Sequence, residues 1–186
     1  FIPAGEWDAD SPRTLTLDEV ETGKNYALLI TTNGGLWRYM IGDTIQFTSV
    51  KPYLFKITGG TKSFINAFGE ELIGDNAEKA LKTACNTTGD RITEYTAAPI
   101  YFGDNNAGAH EWLIEFDKEP ADILEFSKLL DEALKTVNSD YEAKRSYNLS
   151  LQQPVVRSLP KGAFYRWQES VNKIGGQNKV PRLSNN

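Results

Sequence analysis

The glycine pair Gly59-Gly60 separates two stretches of different periodicity, and this change constrains the fold more than any other feature of the chain. Before it, apolar and β-branched residues come in short runs broken by turn residues. Tyr26-Ala27-Leu28-Leu29-Ile30-Thr31-Thr32 has the composition of an interior strand. Asn33-Gly34, reinforced by Gly35, signals a hairpin, and Leu36-Trp37-Arg38-Tyr39 reads as the returning strand, ending at Gly42-Asp43. Residues 15–20, 45–50 and 53–58 read as further strands, the last two around Pro52.

Beyond the pair the pattern becomes mixed. Leu72, Ile73, Ala77, Ala80, Leu81 and Ala84 make one face of a helix over residues 71–84. Residues 91–102 read as a long strand that Pro99 interrupts. In residues 110–116, Trp112, Ile114 and Phe116 alternate with Glu111, Leu113 and Glu115. Ile123, Phe126, Leu129, Leu130, Ala133 and Val137 give a second amphipathic helix, with Asp122 as its cap and Glu125 at the box position. Residues 149–151 and 155–159 read as edge strands, and a short helix follows Gly162 over residues 163–170. The expected class is α+β: a small β-rich unit over residues 1–58, then a compact mixed α/β lobe over 59–186.

Composition removes several functions. A net charge of -5 without a long basic run argues against nucleic acid as the main partner. No apolar stretch reaches transmembrane length, so no membrane partner is expected. The single Cys85 cannot form an internal disulfide, which suits a reducing, cytoplasmic setting, and the single His110 leaves no histidine metal cluster. Cys85 reads as a small core residue, and Trp37, Trp112 and Trp167 as packing residues. The start Phe1-Ile2-Pro3 lacks an initiator methionine and a signal-peptide pattern, which suggests a piece of a longer protein. No Walker A or Gly-x-Gly-x-x-Gly pattern occurs.

Three polar loops remain as carriers of chemistry. Asp43, directly after Gly42, can accept hydrogen bonds from two neighbouring hydroxyls such as those of a ribose; it is equally an ordinary turn aspartate. Lys62 lies in the glycine-rich segment between the two stretches, where a pivot would be, although a turn leading into a capped helix explains the same residues. Gly175-Gly176-Gln177-Asn178-Lys179-Val180-Pro181-Arg182-Leu183 is either a frayed tail or an arm that carries the Lys179 ammonium to a defined place.

Taken in order, these loops resemble those of adenylate-forming enzymes. Leu36-Trp37-Arg38-Tyr39-Met40-Ile41-Gly42-Asp43 is similar to their ribose-binding motif, and residues 59–72 are similar to their hinge. The Lys179 loop, Phe1-Ile2-Pro3 and residues 22–32 resemble one branch, the GH3 auxin-responsive acyl acid–amido synthetases and their bacterial homologues. Met40 and Gly60 depart from the pattern, standing where a basic residue and an arginine are frequent.

The resemblance spans nearly the whole chain but only the C-terminal third of such a protein. It implies that residues 1–58 belong to a large adenylating domain and that residues 59–186 are a mobile C-terminal domain. It further implies ATP with Mg2+, a small carboxylic acid activated as acyl-adenylate, and an amino acid as acceptor. Asp43 would then bind the ribose, Tyr39 and Arg38 would line or brace the nucleotide site, and Lys62 would be the hinge. Lys179 would stabilise charge in the adenylation transition state. A thiol acceptor, or a noncatalytic module on the same fold, are the alternatives. No coiled-coil seam assigns an oligomeric state.

Overall fold

A computed structural model describes residues 1–7, 9–61, 63–102, 107–146, 150–174 and 178–185, with Ala107 described by its backbone. It is α+β and divides into two compact units, Phe1–Phe64 with Ile73–Asp75, and Ile65–Leu72 with Asn76–Asn186. Among the described residues no helix is long and apolar enough to cross a membrane.

The first unit is a four-stranded antiparallel sheet in the order β1-β2-β3-β4, formed by β1 (Ile2–Pro3), β2 (Asn25–Ile30), β3 (Tyr39–Val50) and β4 (Tyr53–Gly60). Successive residues of a strand face opposite ways, so β2 serves two clusters. Ala27 packs with Ile2, Trp7, Phe64 and Ile73, while Tyr26 packs with Val20, Ile45 and Phe47. Phe47 is the centre of the second cluster, with the rings of Phe1, Tyr26, Tyr53 and Phe55 edge-on to it at 5.4–6.2 Å.

Several expectations for this unit are corrected. Residues 15–20 are not a strand. Leu17–Glu19 is a 3-10 turn, because Thr16-x-x-Glu19 is a capping-box spacing and the Thr16 amide donates to Glu19 Oε2 at 2.8 Å. The hairpin at Asn33-Gly34 exists, but its connection spans residues 31–38, closed by Thr32 N–H to Leu36 O at 2.9 Å. The returning strand does not end at Gly42-Asp43; β3 passes through both and continues to Val50. Trp37, expected to pack, lies in the connection and is 80% exposed, and Trp167 is 42% exposed.

The short strands β5 (Phe64–Ile65) and β6 (Leu72–Ile73) pair with each other, and α1 (Gly74–Thr88) follows; of these residues the second unit takes Ile65, Leu72 and α1 from Asn76 onward. The first helix therefore starts later than residue 71, because Leu72 and Ile73 are ladder residues. Its buried face is Ala77, Ala80, Leu81 and Ala84, at the expected spacing. The strands β7 (Ile92–Phe102) and β8 (Ala107–Phe116) form an antiparallel pair. Pro99 does not interrupt β7; it pairs opposite His110, as an edge strand allows.

From β8 the chain runs through α2 (Ile123–Val137) and α3 (Ser139–Arg145) to β9 (Val155–Leu159), which lies parallel to β8, and then to α4 (Ala163–Ser170). A parallel neighbour needs such a crossover. Asp122 caps α2 by accepting from the amides of Leu124 and Glu125, both at 2.9 Å. The helix α3 has no counterpart in the sequence reading. Asn138 starts it by accepting from Tyr141 N–H at 2.8 Å, on a stretch too short for periodicity to register. Trp112, Ile114, Phe116, Tyr95 and Ala97 from the sheet pack with Leu81, Ala84, Phe126, Leu130 and Leu134 from the helices. Cys85 is half-buried beside this core.

Gly108 tests how tightly the sheet is closed. A β-carbon there would lie 2.1 Å from Ile100 O and 2.5 Å from the Phe68 ring. The backbone oxygen cannot swing aside without disturbing the β7–β8 ladder. Gly108→Ala is therefore expected to destabilise the chain by about 1–3 kcal/mol, read as a lower urea midpoint; an unchanged midpoint would contradict the packing described.

Candidate functional site

Tyr39 and Asp43 lie on β3, and Arg38 immediately precedes it. Gly42 has φ 92°, a conformation that favours glycine. Its carbonyl accepts from Thr61 N–H at 2.8 Å, Asp43 pairs with Gly60, and the register shifts between Thr44 and Ile45. Thr44 and Ile45 are consequently both buried, a bulge rather than the strand end expected from Gly-Asp. Asp43 is exposed on this bulged stretch, and no hydrogen bond or ion pair engages its carboxylate among the described residues. It is a strand-borne acceptor, paired with Gly60 of β4, and able to take two hydroxyls.

Arg38 has φ 46°, and its amide donates to Thr31 Oγ1 at 3.1 Å. Its guanidinium donates to Thr14 Oγ1, also at 3.1 Å, which braces the segment entering β3. Tyr39 is 52% exposed and follows the 80% exposed Trp37. Lys62 lies outside the described residues.

Lys179 belongs to the second unit and is exposed. Its neighbours are held. The carbonyl of Asn178 accepts from Gln168 Nε2 of α4 at 3.1 Å, and Val180 is buried. Farther along, Thr96 Oγ1 donates to Pro181 O at 2.6 Å, Ala97 N–H to Arg182 O at 3.0 Å, and Ser184 N–H to Ala97 O at 3.0 Å. Leu183 is fully buried and makes a parallel bridge with Ala97. Residues 178–185 are thus held against α4 and β7 and are not a frayed tail. Residues 175–177 lie outside the described residues. The exposed Lys179 ammonium can meet phosphate or carboxylate oxygens. An apolar cavity of about 400 Å³, lined by Val180, Pro181, Phe164, Trp167 and Leu113, lies beside the arm.

The second half of the segment read as a hinge, Ile65–Leu72, is part of the second unit. Asn66 N–H donates to Asn185 Oδ1 at 2.8 Å, and Asn138 Nδ2 donates to Glu70 O at 2.9 Å. The Glu70 carboxylate accepts from Phe68 N–H at 2.7 Å and meets His110 Nε2 at 2.7 Å, with both side chains fully buried. Burial pushes the Glu70 carboxyl up, but its bonds to His110 and to backbone amides prevail and hold it below the usual range. These partners escaped the sequence reading because His110 stands alone and its acceptor is 40 residues away. Among the described residues, no group of three His, Cys, Asp or Glu could hold a metal ion.

Residues 75–186 match the GH3 family C-terminal domain, and residues 1–59 match the GH3 family central domain. The indole-3-acetic acid-amido synthetase GH3.3 of Arabidopsis thaliana is 26% identical over 98% of this chain and 32% of its own length. GH3.8 of Oryza sativa subsp. indica is likewise 26% identical over 98% of this chain and 32% of its own length. The chain thus spans about a third of the length of these curated relatives. Among solved structures, GH3.15 acyl acid amido synthetase aligns at TM-score 0.63 and 20% identity, over 92% of this chain and 34% of that one. A 2-hydroxyisobutyryl-CoA ligase aligns at 0.51 and 13%, over 90% and 33%, a likeness of fold.

Proposed function

Because the chain belongs to the GH3 family, we propose that it forms the C-terminal portion of an ATP-dependent acyl acid–amido synthetase with a cytoplasmic setting. The observation that carries this reading is Lys179, an exposed cation on an arm held on both sides by Gln168 and by β7. In the proposed reaction a carboxylate oxygen of the acid attacks the α-phosphorus of ATP. An acyl–phosphate bond forms, the α–β phosphoanhydride bond breaks, and pyrophosphate leaves. The amino group of an amino acid then attacks the acyl carbon, the amide bond forms, and AMP leaves with the acyl–oxygen bond broken and a proton released to solvent.

Residues 1–58 belong, in this reading, to the large adenylating domain, and residues 59–186 to a mobile C-terminal domain that turns about Lys62. Asp43 holds the ribose hydroxyls, with Tyr39 and Arg38 lining or bracing the nucleotide site. Lys179 meets the negative charge that builds on phosphate or carboxylate oxygens during adenylation. Mg2+ accompanies the ATP. The ATP phosphates would hold this ion, which would neutralise part of their charge. The partners are a small carboxylic acid and an amino acid.

Pyrophosphate release tests the reading. The full-length polypeptide is expected to release pyrophosphate only when ATP and an accepted carboxylic acid are both present, and to form an amide once an amino acid is added. The 186-residue chain alone is expected to show no turnover. Release from the chain alone would refute the division of labour proposed; thioester formation would favour a thiol acceptor; a full-length protein that binds no ATP would mean a noncatalytic module.

A further inference from the structure

Arg182 is three residues from Lys179, yet it makes none of its contacts outward. Its guanidinium lies 4.6 Å over the centre of the Tyr95 ring, pairs with the Glu94 carboxylate, and donates to Tyr95 O at 3.4 Å. Its own carbonyl accepts from Ala97 N–H at 3.0 Å. One residue thus grips three positions of β7, Glu94 and Tyr95 through its side chain and Ala97 through its backbone. Pro181 and Leu183 are secured on either side by Thr96 and Ala97. The Tyr95 ring is itself stacked on Trp112 at 6.0 Å, and both are buried in the core. The grip therefore ends on the buried core of the unit.

We propose that Arg182, acting through Glu94 and Tyr95, is a positioning residue that sets the place and reach of the Lys179 ammonium. This rests on the reading of Lys179 given above. Neutralisation by Glu94 leaves Lys179 as the cation this segment offers to phosphate. The choice of arginine follows from its shape. A planar guanidinium can stack on a ring and pair with a carboxylate at once, whereas an ammonium at the same place satisfies only the charge. Reaction rate is steep in such placement, because an error of about 1 Å in a catalytic group can cost about a hundredfold.

The test compares Arg182→Ala, Arg182→Lys, Glu94→Gln and Lys179→Ala in the full-length polypeptide, by acid-dependent pyrophosphate release. Amide hydrogen exchange at Ala97 and Ser184 in the 186-residue chain is followed in parallel. Arg182→Ala is expected to lower kcat about ten- to a hundredfold with little change in KM for ATP, and to speed exchange at both amides. Arg182→Lys and Glu94→Gln should fall between it and the unaltered protein, and adding Arg182→Ala to Lys179→Ala should cost nothing more. If Lys179→Ala abolishes release while Arg182→Ala retains full kcat, the positioning role is overturned and the Lys179 reading stands. If Lys179→Ala itself retains full release, that reading fails first. A loss in Arg182→Ala confined to KM, or one that persists undiminished in the Lys179→Ala background, also overturns the role, since it would then act other than through the ammonium.

Discussion

Lys179→Ala in the full-length polypeptide is expected to lower acid-dependent pyrophosphate release by about 10²–10³-fold, the usual cost of removing a donor aimed at developing negative charge. The thermal stability of the chain should be nearly untouched, since an exposed side chain outside the core contributes within about 0.5 kcal/mol. That separation makes the experiment informative. The arm is held by Gln168, Thr96, Ala97 and Arg182 and not by the lysine, so truncating Lys179 removes a charge without releasing the segment. Lys179→Arg should recover only part of the rate, because a broad planar cation does not occupy the place of a compact ammonium. An alanine variant that releases pyrophosphate as fast as the unaltered enzyme would remove Lys179 from the proposed mechanism.

Asp131→Ala is expected to destabilise the 186-residue chain by about 3–5 kcal/mol, the cost of leaving a buried charge without its partner. Asp131 on α2 is nearly fully buried and receives Arg145 Nε and Nη2, each at 2.7 Å, together with Tyr141 O–H at 2.8 Å and Lys135 Nζ at 2.9 Å. Arg145 also donates from Nη1 to Leu151 O at 2.9 Å. The cluster thus ties α2 to α3 and to the approach to β9. Burial pushes the Asp131 carboxyl up, but Arg145, Lys135 and Tyr141 together hold it below the usual range.

A depressed carboxyl in the folded state stabilises the fold fully above its unfolded value of about 3.9. That contribution is lost as pH falls through the lower folded value. Glu70, also depressed, adds to the same acid-side loss. Urea midpoints measured between neutral and acid pH should therefore fall steeply on the acid side, and less steeply in Asp131→Ala. Equal slopes in the two proteins would show that Asp131 carries no such stabilisation.

Features encoded within a few residues were legible in the sequence. The Asp122 cap, the apolar faces of α1 and α2, and the alternation of Trp112, Ile114 and Phe116 all rest on local spacing. What stayed hidden depends on partners far along the chain. Glu70 and His110, or Tyr95 and Arg182, are 40 and 87 residues apart, and neither pair leaves a periodic trace. Gly42 shows the limit of local reading in another way. A glycine before an aspartate suits a turn and a bulge equally, and only the pairing of Asp43 and Thr44 with Gly60 and Gly59 of β4 decides for the bulge. Asp43 and Lys179 are both exposed, which is compatible with the roles proposed for them, and the order of their motifs along the chain carries the rest. Trp37 reads as a strand residue from its apolar neighbours, yet it lies in the connection before β3 and is exposed.

The pairing of residues 181–184 with β7 also has a consequence during synthesis. The Thr96–Pro181 hydrogen bond spans 85 residues, which a ribosome adds in roughly 4 to 17 s. Throughout that interval the outer backbone edge of β7 is uncovered, and an uncovered edge invites pairing with other chains. Glu94 and Pro99, a charge and a residue without an amide hydrogen, are suited to discourage such pairing until the proper segment arrives. The stretch that carries Lys179 is therefore also a late seal on the nascent lobe.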